Sequence, residues 1–333
     1  MVLCFDGDIH NIFNMGKIII QSVFDDRTSK DVCRWIEYYG HIDRTIPVND
    51  VYEVHSFKLL ISTSEIEIGL NKHTIDENDV FWYRRGVFKM KNIAESKSSN
   101  VNSYIREKQI IPVSNFLGSL IFKNQINCFR DNSIDKMIVL TKCKQLGIRI
   151  PATLVTNTKA ELMHFLTKHE KIITKSIVSP SGNVVINGIN YTFSAPTVLL
   201  TDSDIKKIPQ QFAPSLFQEY VTKKYEIRSF FFNEKLFSMA IFSQKNKKTQ
   251  VDFRNYDHIC PNRNVPFKIP TWYEKKLLSL YKQLNLKSGS ADIIVTPDDQ
   301  FVFLEINPIG QFGWLSKNCN YYLEKLVSKH LIQ

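Results

Sequence analysis

Ser290-Ala291-Asp292-Ile293-Ile294-Val295-Thr296-Pro297-Asp298-Asp299-Gln300-Phe301-Val302-Phe303-Leu304-Glu305-Ile306-Asn307-Pro308 decides how this 333-residue chain is read. Two apolar, β-branched runs flank Pro-Asp-Asp-Gln, which is hairpin punctuation. A symmetric turn sets Asp292 opposite Glu305, Ile293 opposite Leu304 and Val295 opposite Val302. Ile293, Val295, Val302, Leu304 and Ile306 then form an apolar face. Asp292, Glu305 and Asn307 share the other. Directly opposed carboxylates repel, so a cation between them is the natural complement. Two carboxylates and an amide oxygen are a hard, all-oxygen set suited to Mg²⁺ that also holds phosphates. A solvated outer face is the alternative. Asn307-Pro308 and the loop with Gly310 and Gly313 favour the metal.

Working outward, the composition is ordinary for a globular protein, with 43% hydrophobic and 23% charged residues. Its length suggests two or three lobes. With 12 Gly and 12 Pro, collagen, low-complexity sequence and long flexible linkers are excluded. Net charge is +10 and uneven. Residues 1–120 carry 14 basic and 16 acidic groups, against 29 and 17 in residues 121–333. The second part therefore favours an anionic partner: nucleotide phosphates, nucleic acid, a membrane surface or an acidic peptide. No apolar run is long enough for a membrane span. Asp6 and Asp8 interrupt the first apolar stretch, so no secretory signal is expected there. The six cysteines (Cys4, Cys33, Cys128, Cys143, Cys260, Cys319) lack C-x-x-C spacing and read as reduced, mostly buried cytosolic thiols.

Periodicity outlines the elements. Val2–Phe5, Phe57–Ser62, Glu65–Leu70 and Val80–Tyr83 read as strands, and a helix from about Thr28 turns Val32, Trp35, Ile36 and Tyr39 to one side before Gly40. Residues 95–102 read as a loop, followed by a helix broken at Pro112. Ser133 is the expected cap of a helix ending at Gly147. Thr158 and Glu161 suggest a capping box after a strand at 150–156. Strands are expected at 171–178, 216–221, 225–232 and 235–242, a Ser/Pro/Gly turn at 179–183, and helices from Pro270 to Leu284 and from Tyr321 to Leu331. No G-x-G-x-x-G, complete P-loop, G-x-S-x-G, H-E-x-x-H or kinase motif occurs. Phosphate binding would need isolated cations. Lys175, in an apolar strand, either snorkels out or reaches a partner. Glu226 and Arg228 share a strand face, and Asp252 and Arg254 have the same spacing in a polar loop. A plain ion pair is the alternative for each couple.

The order Lys136, Lys175, Gln218-Glu219-Tyr220-Val221, Glu226, Arg228, Asp292, Glu305, Asn307 resembles the ATP-grasp superfamily. Trp82-Tyr83-Arg84-Arg85-Gly86, Asp252-Phe253-Arg254, Leu304–Pro308 with Gly310-Gln311-Phe312, and the 318–325 tail look like the grasp-with-spasm peptide maturases, relatives of the microviridin-type macrocyclases that make graspetides. The resemblance implies an α/β protein of the α+β ATP-grasp kind. A small N-terminal α/β lobe (1–120) would precede a ligase region (121–333). That region would comprise a lid subdomain at about 151–221 and a metal-binding subdomain at 222–333, clasping ATP. It implies an ADP-forming enzyme, cytoplasmic and homodimeric, that phosphorylates Asp or Glu carboxylates of a ribosomally made precursor peptide and joins them to Ser/Thr hydroxyls or Lys amines. Lys136 and Lys175 would meet ATP phosphates. Gln218, Glu219, Tyr220 and Val221 would frame adenine, and Glu226 would hold the ribose. Asp292, Glu305 and Asn307 would carry Mg²⁺. Arg228 and Arg254 would neutralise the transferring phosphoryl group, with Ser179–Asn183 as a lid. No general base stands out. A glutathione-synthetase-type carboxylate–amine ligase, a basic nucleic-acid-binding protein and a degenerate ATP-binding scaffold are the rival readings. The Trp82–Gly86 block and the Gly310–Phe312 tail argue against the first rival. Against the second stands the want of Arg clusters with interleaved aromatics, Lys245, Lys247 and Lys248 being the nearest group. The metal trio argues against the third. Neither nucleic acid nor membrane is expected as a partner.

Overall fold

The computed structural model describes residues 15–48, 53–59, 64–68, 71–75, 78–86, 89–90, 96–117, 124–128, 130–131, 134–178, 181–186, 189–194, 196–246, 248–254 and 257–333. The chain divides into two compact units, residues 1–132 with 322–333 and residues 133–321. The first boundary falls twelve residues beyond the expected one, and the C-terminal helix belongs to the first unit rather than to the ligase region. The reason is packing. Helix Leu323–Ile332 lies against helix Arg27–Tyr38, with the Lys325 ammonium 5.0 Å from the Trp35 ring centre and Arg44 donating to the Ile332 carbonyl at 2.8 Å. Asp26 caps the earlier helix by accepting from the Ser29 amide.

In that first unit Thr45–Val48, Ile18–Gln21, Val80–Tyr83 and Asn124–Ile126 form a parallel sheet. Parallel strands are covered on both faces, which accounts for the unbroken apolar run Ile18–Ile20 and for its burial. A second sheet is ordered Asn71–Ile75, Ser64–Ile68, Glu53–Leu59, Lys89–Met90. The run expected as a loop at 95–102 turns helical at Ser99. Pro112 does not break the following helix, because a π-turn at Arg106–Ile110 just before it absorbs the misfit. The strand expected at Val2–Phe5 lies outside the described residues.

The second unit is built on a five-stranded antiparallel sheet ordered Arg263–Phe267, Lys235–Phe242, Tyr225–Phe232, Ser288–Val295, Phe301–Asn307. Asn233 and Glu234 both take positive φ, the twist a two-residue hairpin needs. Helices Lys136–Gln145 and Thr271–Gln283 pack on one face, where Val139, Leu140, Cys143, Tyr273, Leu277 and Leu280 meet Ile227, Ala291, Ile293, Val295 and Phe303. Asp135 caps the first of these helices, accepting from the Met137 and Ile138 amides. Ser133, the residue expected there, lies outside the described residues. A smaller sheet orders Val198–Leu199, Ile172–Lys175, Gln211–Glu219 and Thr153–Thr158. It packs through Ile172 and Phe217 on Leu162 of helix Lys159–Leu166. The expected Thr158/Glu161 capping box does not form: the Thr158 amide and hydroxyl engage the Thr156 hydroxyl instead. A capping box forms at Thr201 and Asp204. The turn expected at 179–183 is, from Ser181, the first strand of a hairpin with Ile189–Ser194.

The hairpin on which the reading turned keeps Asp292 opposite Glu305 and Ser290 opposite Asn307. Beyond Asp292 the register slips by one residue, pairing Ile293 with Phe303 and Val295 with Phe301. The expected Ile293–Leu304 and Val295–Val302 pairs are therefore absent. Asp299 at positive φ closes an asymmetric turn in which the Thr296 amide donates to the Gln300 carbonyl. Leu304 becomes the extra residue of a β-bulge. Phe303 replaces it in the core, and Leu304 and Glu305 both turn to the opposite side.

Of the six cysteines, five are described and free, with Cys143 and Cys319 buried, Cys33 and Cys128 half-buried and Cys260 exposed. The expectation of mostly buried thiols thus holds for two of these five. No helix among the described residues is long and apolar enough to cross a membrane.

Candidate active site

The face of the five-stranded sheet away from its helices carries the charges. Alternation in Tyr225–Phe232 buries Ile227 in the core and sends Glu226 and Arg228 to the other side. Neighbouring strands add Asp292 and Glu305, the smaller sheet adds Lys175 and Gln218, and the segment 251–254 closes one side. Together they line a cleft with a cavity volume of about 70 Å³.

Four cations converge on two carboxylates there. Arg228 grips Asp292 through a two-bond fork, Nε to Oδ1 at 2.8 Å and Nη2 to Oδ2 at 2.7 Å, the strongest geometry such a pair can adopt. Glu305 faces Arg254 at 3.3 Å, Lys136 at 3.6 Å and Lys175 at 4.0 Å. Burial works against ionisation of Glu305, but Lys175, Arg254, Lys136 and Arg228 outweigh it and hold its pKa below the ordinary carboxylate value. Burial also lowers the pKa of Lys175, opposed by Glu305 and aided by Lys136 and Arg254. Arg228 is buried too, yet Asp292 raises its pKa above the usual value. The Arg228 guanidinium lies over Phe253 at 5.3 Å and Trp314 at 5.8 Å, which fixes its plane.

The two couples weighed as plain ion pairs resolve differently. Glu226 and Arg228 do not pair with each other. Glu226 is gripped by Lys223 and accepts from the Ser243 hydroxyl at 2.9 Å, while burial raises its pKa. Asp252 and Arg254 do bond, at 2.7 Å, but not as a surface pair: Asp252 is buried and its partner also reaches Glu305. Lys175 does not snorkel; its side chain is 9% exposed and directed at Glu305. Lys136 also donates to the Ser176 carbonyl at 3.0 Å.

Gln218 is fully buried, and its amide nitrogen donates to the Thr153 hydroxyl at 2.9 Å. Its Oε1 is buried without a hydrogen-bond partner. Glu219 is tied to the Ala152 amide and to His169. The Tyr220 amide bonds Lys171, and Val221 completes the cleft wall. Asn307 is exposed at the strand end and does not line the cleft. No group of three acidic, His or Cys ligands occurs among the described residues. Lys245 and Lys248, the described part of the basic run expected as a loop, are exposed. Sequence reasoning missed Lys223, which lies three residues before Glu226. It also missed Asp252 as a buried anchor and Leu304 as a cleft residue, since a bulge leaves no signature in hydrophobic alternation.

No family model matches the sequence, and no curated protein does. Solved structures do. The macrocyclase MdnC bound with precursor peptide MdnA from Microcystis aeruginosa MRC superposes with a TM-score of 0.77 at 26% identity, over 95% of this chain and 99% of that one. A RiPP-associated ATP-grasp ligase from Chryseobacterium gregarium, in complex with ADP and a leader and core peptide, gives 0.72 at 22% identity over 96% of each chain. The ATP-grasp ligase PsnB, complexed with a phosphomimetic variant of minimal precursor, Mg and ADP, gives 0.68 at 16% over 95% of this chain and 98% of that one. The expected α+β ATP-grasp fold is present, in the form these ligases share.

Proposed function

We propose that this ATP-grasp ligase phosphorylates side-chain carboxylates of Asp or Glu in a ribosomally made precursor peptide and joins them to Ser/Thr hydroxyls or Lys amines within the peptide. The observation that carries the reading is the convergence of Lys136, Lys175, Arg228 and Arg254 on Glu305 and Asp292. A carboxylate and ATP repel, and bringing them together needs cations on the transferring phosphoryl oxygens. The peptide and nucleotide held by the similar ligases support the same assignment.

The residues fit the cofactors. Lys136 and Lys175 would bind phosphates, and the unpaired Gln218 Oε1 suits a base carrying an amino group. Tyr220 and Val221 offer backbone and apolar contact, with Glu219 behind them and Glu226 for the ribose. Asp292 and Glu305, with Asn307 at the strand end, would hold Mg²⁺. That ion would supply charge neutralisation at the phosphates. Asp292 and Glu305 supply the carboxylate ligands, and phosphate oxygens and water would complete a hard-ligand shell. Arg228 and Arg254 neutralise these carboxylates. With Mg²⁺ on the carboxylates, the same guanidiniums would be available to the substrate carboxylate and the acyl phosphate. Confinement of two side chains of one peptide supplies the effective concentration for ring closure. No covalent protein nucleophile is needed.

The excess of 29 basic over 17 acidic groups in residues 121–333 suits an acidic peptide, and neither nucleic acid nor membrane is assigned as a partner. The resemblance also implies a homodimer, which sedimentation tests. The deciding experiment is incubation with the precursor peptide, ATP and Mg²⁺, read by mass spectrometry. Loss of one water per cross-link with release of ADP is expected. Turnover of ATP with free amino acids alone would overturn the reading in favour of a small-molecule ligase.

A further inference from the structure

Arg254 stands on the loop between strands Lys235–Phe242 and Arg263–Phe267, and an arginine on a loop can serve phosphoryl transfer only if the loop is held. Asp252 orients it from within. Arg254 Nε and Nη2 donate to the two Asp252 oxygens at 2.9 and 2.7 Å, and the Arg254 amide donates to Oδ1 at 3.0 Å. These bonds join residues two apart. They do not by themselves fix where the segment 251–254 sits against the cleft. We infer that Lys223 is a positioning residue for Arg254: it ties the backbone beside Asp252 to the cleft wall, and so places the guanidinium for the acyl phosphate. The inference rests on the ligase reading above.

Lys223 has the geometry of a tie. It lies in the short connection from strand Gln211–Glu219 to strand Tyr225–Phe232, whose backbone is pinned where the Lys224 amide donates to the Val295 carbonyl at 2.7 Å. The two adjacent lysines part there. The Lys224 side chain is 49% exposed and turns out to Asp299, whereas that of Lys223 is 3% exposed. A buried ammonium has three donors, and each needs an acceptor. Lys223 reaches two acceptors, Glu226 Oε1 and, at 3.4 Å, the Val251 carbonyl. Glu226 belongs to the central strand of the sheet and is held a second time by the Ser243 hydroxyl. Through Lys223 the Val251 backbone is therefore referred to the sheet itself.

A second buried group closes the loop at its feet. Thr249 is fully buried, and its hydroxyl lies 3.1 Å from the Ser243 carbonyl and 2.9 Å from Asn262 Oδ1. Ser243 follows one strand and Asn262 precedes the next. Thr249 does not line the cleft, whereas Lys223 does. The segment 249–254 thus hangs between the feet of its loop and the cleft wall. Asp252 is buried between those supports, and Arg254 is carried to 3.3 Å from Glu305. A lysine that only neutralised Glu226 would need no bond to the loop, and its loss would act independently of Arg254.

The test follows ATP-dependent hydroxamate formation by the full chain with precursor peptide, Mg²⁺ and hydroxylamine, which traps the acyl phosphate. A misplacement of about 1 Å can cost ~100-fold in rate, so Lys223→Met should lower kcat by at least ~10-fold. Lys223→Arg, which can keep both bonds, should recover part of that loss. In an Arg254→Lys chain the further cost of Lys223→Met should fall below ~3-fold, because groups that act as one unit are not additive. Thr249→Val alters no side chain that lines the cleft, and should lower kcat by at least ~3-fold while the KM for ATP stays at its native value. Melting curves establish that each variant is folded; if Lys223→Met is not, Lys223→Gln takes its place in the same cycle. A Lys223 substitution as costly beside Arg254→Lys as in the native chain overturns the inference, as does native kcat in Thr249→Val. In both cases hydroxamate formed by the native enzyme leaves the ligase reading standing. Absence of hydroxamate from the native enzyme overturns both.

Discussion

The fork between Arg228 and Asp292 offers a quantitative test of how the candidate site is held. Both side chains are nearly sequestered, 9% and 8% exposed, and they are joined by two bonds of 2.8 and 2.7 Å. Removing one partner strands a buried charge. Asp292→Asn should therefore destabilise the second unit by about 3–5 kcal/mol, and Arg228→Met by a similar amount. For a body of 150–250 residues each kcal/mol moves the melting point by about 2–4 °C, so a fall of roughly 6–20 °C is expected. The double variant Arg228→Met/Asp292→Leu replaces the pair by apolar groups. It should regain most of that loss, because its charges no longer need to be taken out of water. Calorimetry on ligand-free protein, with the transitions of the two units resolved, measures all three. A double-mutant coupling of at least ~3 kcal/mol is the expected result. Single substitutions that each shift stability by under ~1 kcal/mol, or a double variant whose losses simply add, would refute the claim that the pair is an enclosed unit.

Glu305 gives a pH signature. Its folded pKa lies below the unfolded value, so its contribution is complete above the unfolded pKa of about 4.3 and is lost as pH falls through the folded pKa. The stability gap between native protein and Glu305→Gln should close on acidification below about pH 4; a gap that widens there is the contrary result. Gly310 abuts Ser290: an added Cβ would sit 2.5 Å from the Ser290 Cβ. Gly310→Ala should lower stability by about 1–3 kcal/mol, and Ser290→Gly in the same chain should restore part of it, as urea unfolding would report. Asp135→Ala removes the cap of helix Lys136–Gln145 and should cost about 1 kcal/mol. A loss beyond ~2 kcal/mol would mean Asp135 does more than cap. Under the proposed function, Lys175→Met should weaken nucleotide binding at least ~10-fold in calorimetric titration, since one buried phosphate partner is gone; unchanged affinity would remove Lys175 from the phosphate site.

Much was legible in the sequence because its signals are local. Tyr225–Phe232 and Lys235–Phe242 fall where β-branched and aromatic runs and the Asn233-Glu234 turn place them. The Asp292–Glu305 opposition expected from a symmetric hairpin is present, although it arises from an asymmetric turn offset by the bulge at Leu304. The order of Lys136, Lys175, Gln218–Val221, Glu226, Arg228, Asp292, Glu305 and Asn307 is sufficient to suggest an ATP-grasp ligase. Tertiary structure decided what depends on competition between partners. Asp292 carries one charge, and whether that meets a metal, Glu305 or Arg228 is settled by which side chain is enclosed with it; here Arg228 forms the fork. The bulge that sends both Leu304 and Glu305 into the cleft arises because the turn at Asp299 and the pairing at Asp292 are out of step by one residue, a mismatch no local pattern records. Placement of 322–333 with the first unit likewise follows from which helix offers a complementary face. Asn264 is one polar residue among many in the sequence, and only burial among distant strands and a helix leaves its oxygen without a hydrogen-bond partner. Local preference acts within a few residues, whereas exclusion of water, which makes a charge or an unmade hydrogen bond consequential, is a property of the folded whole.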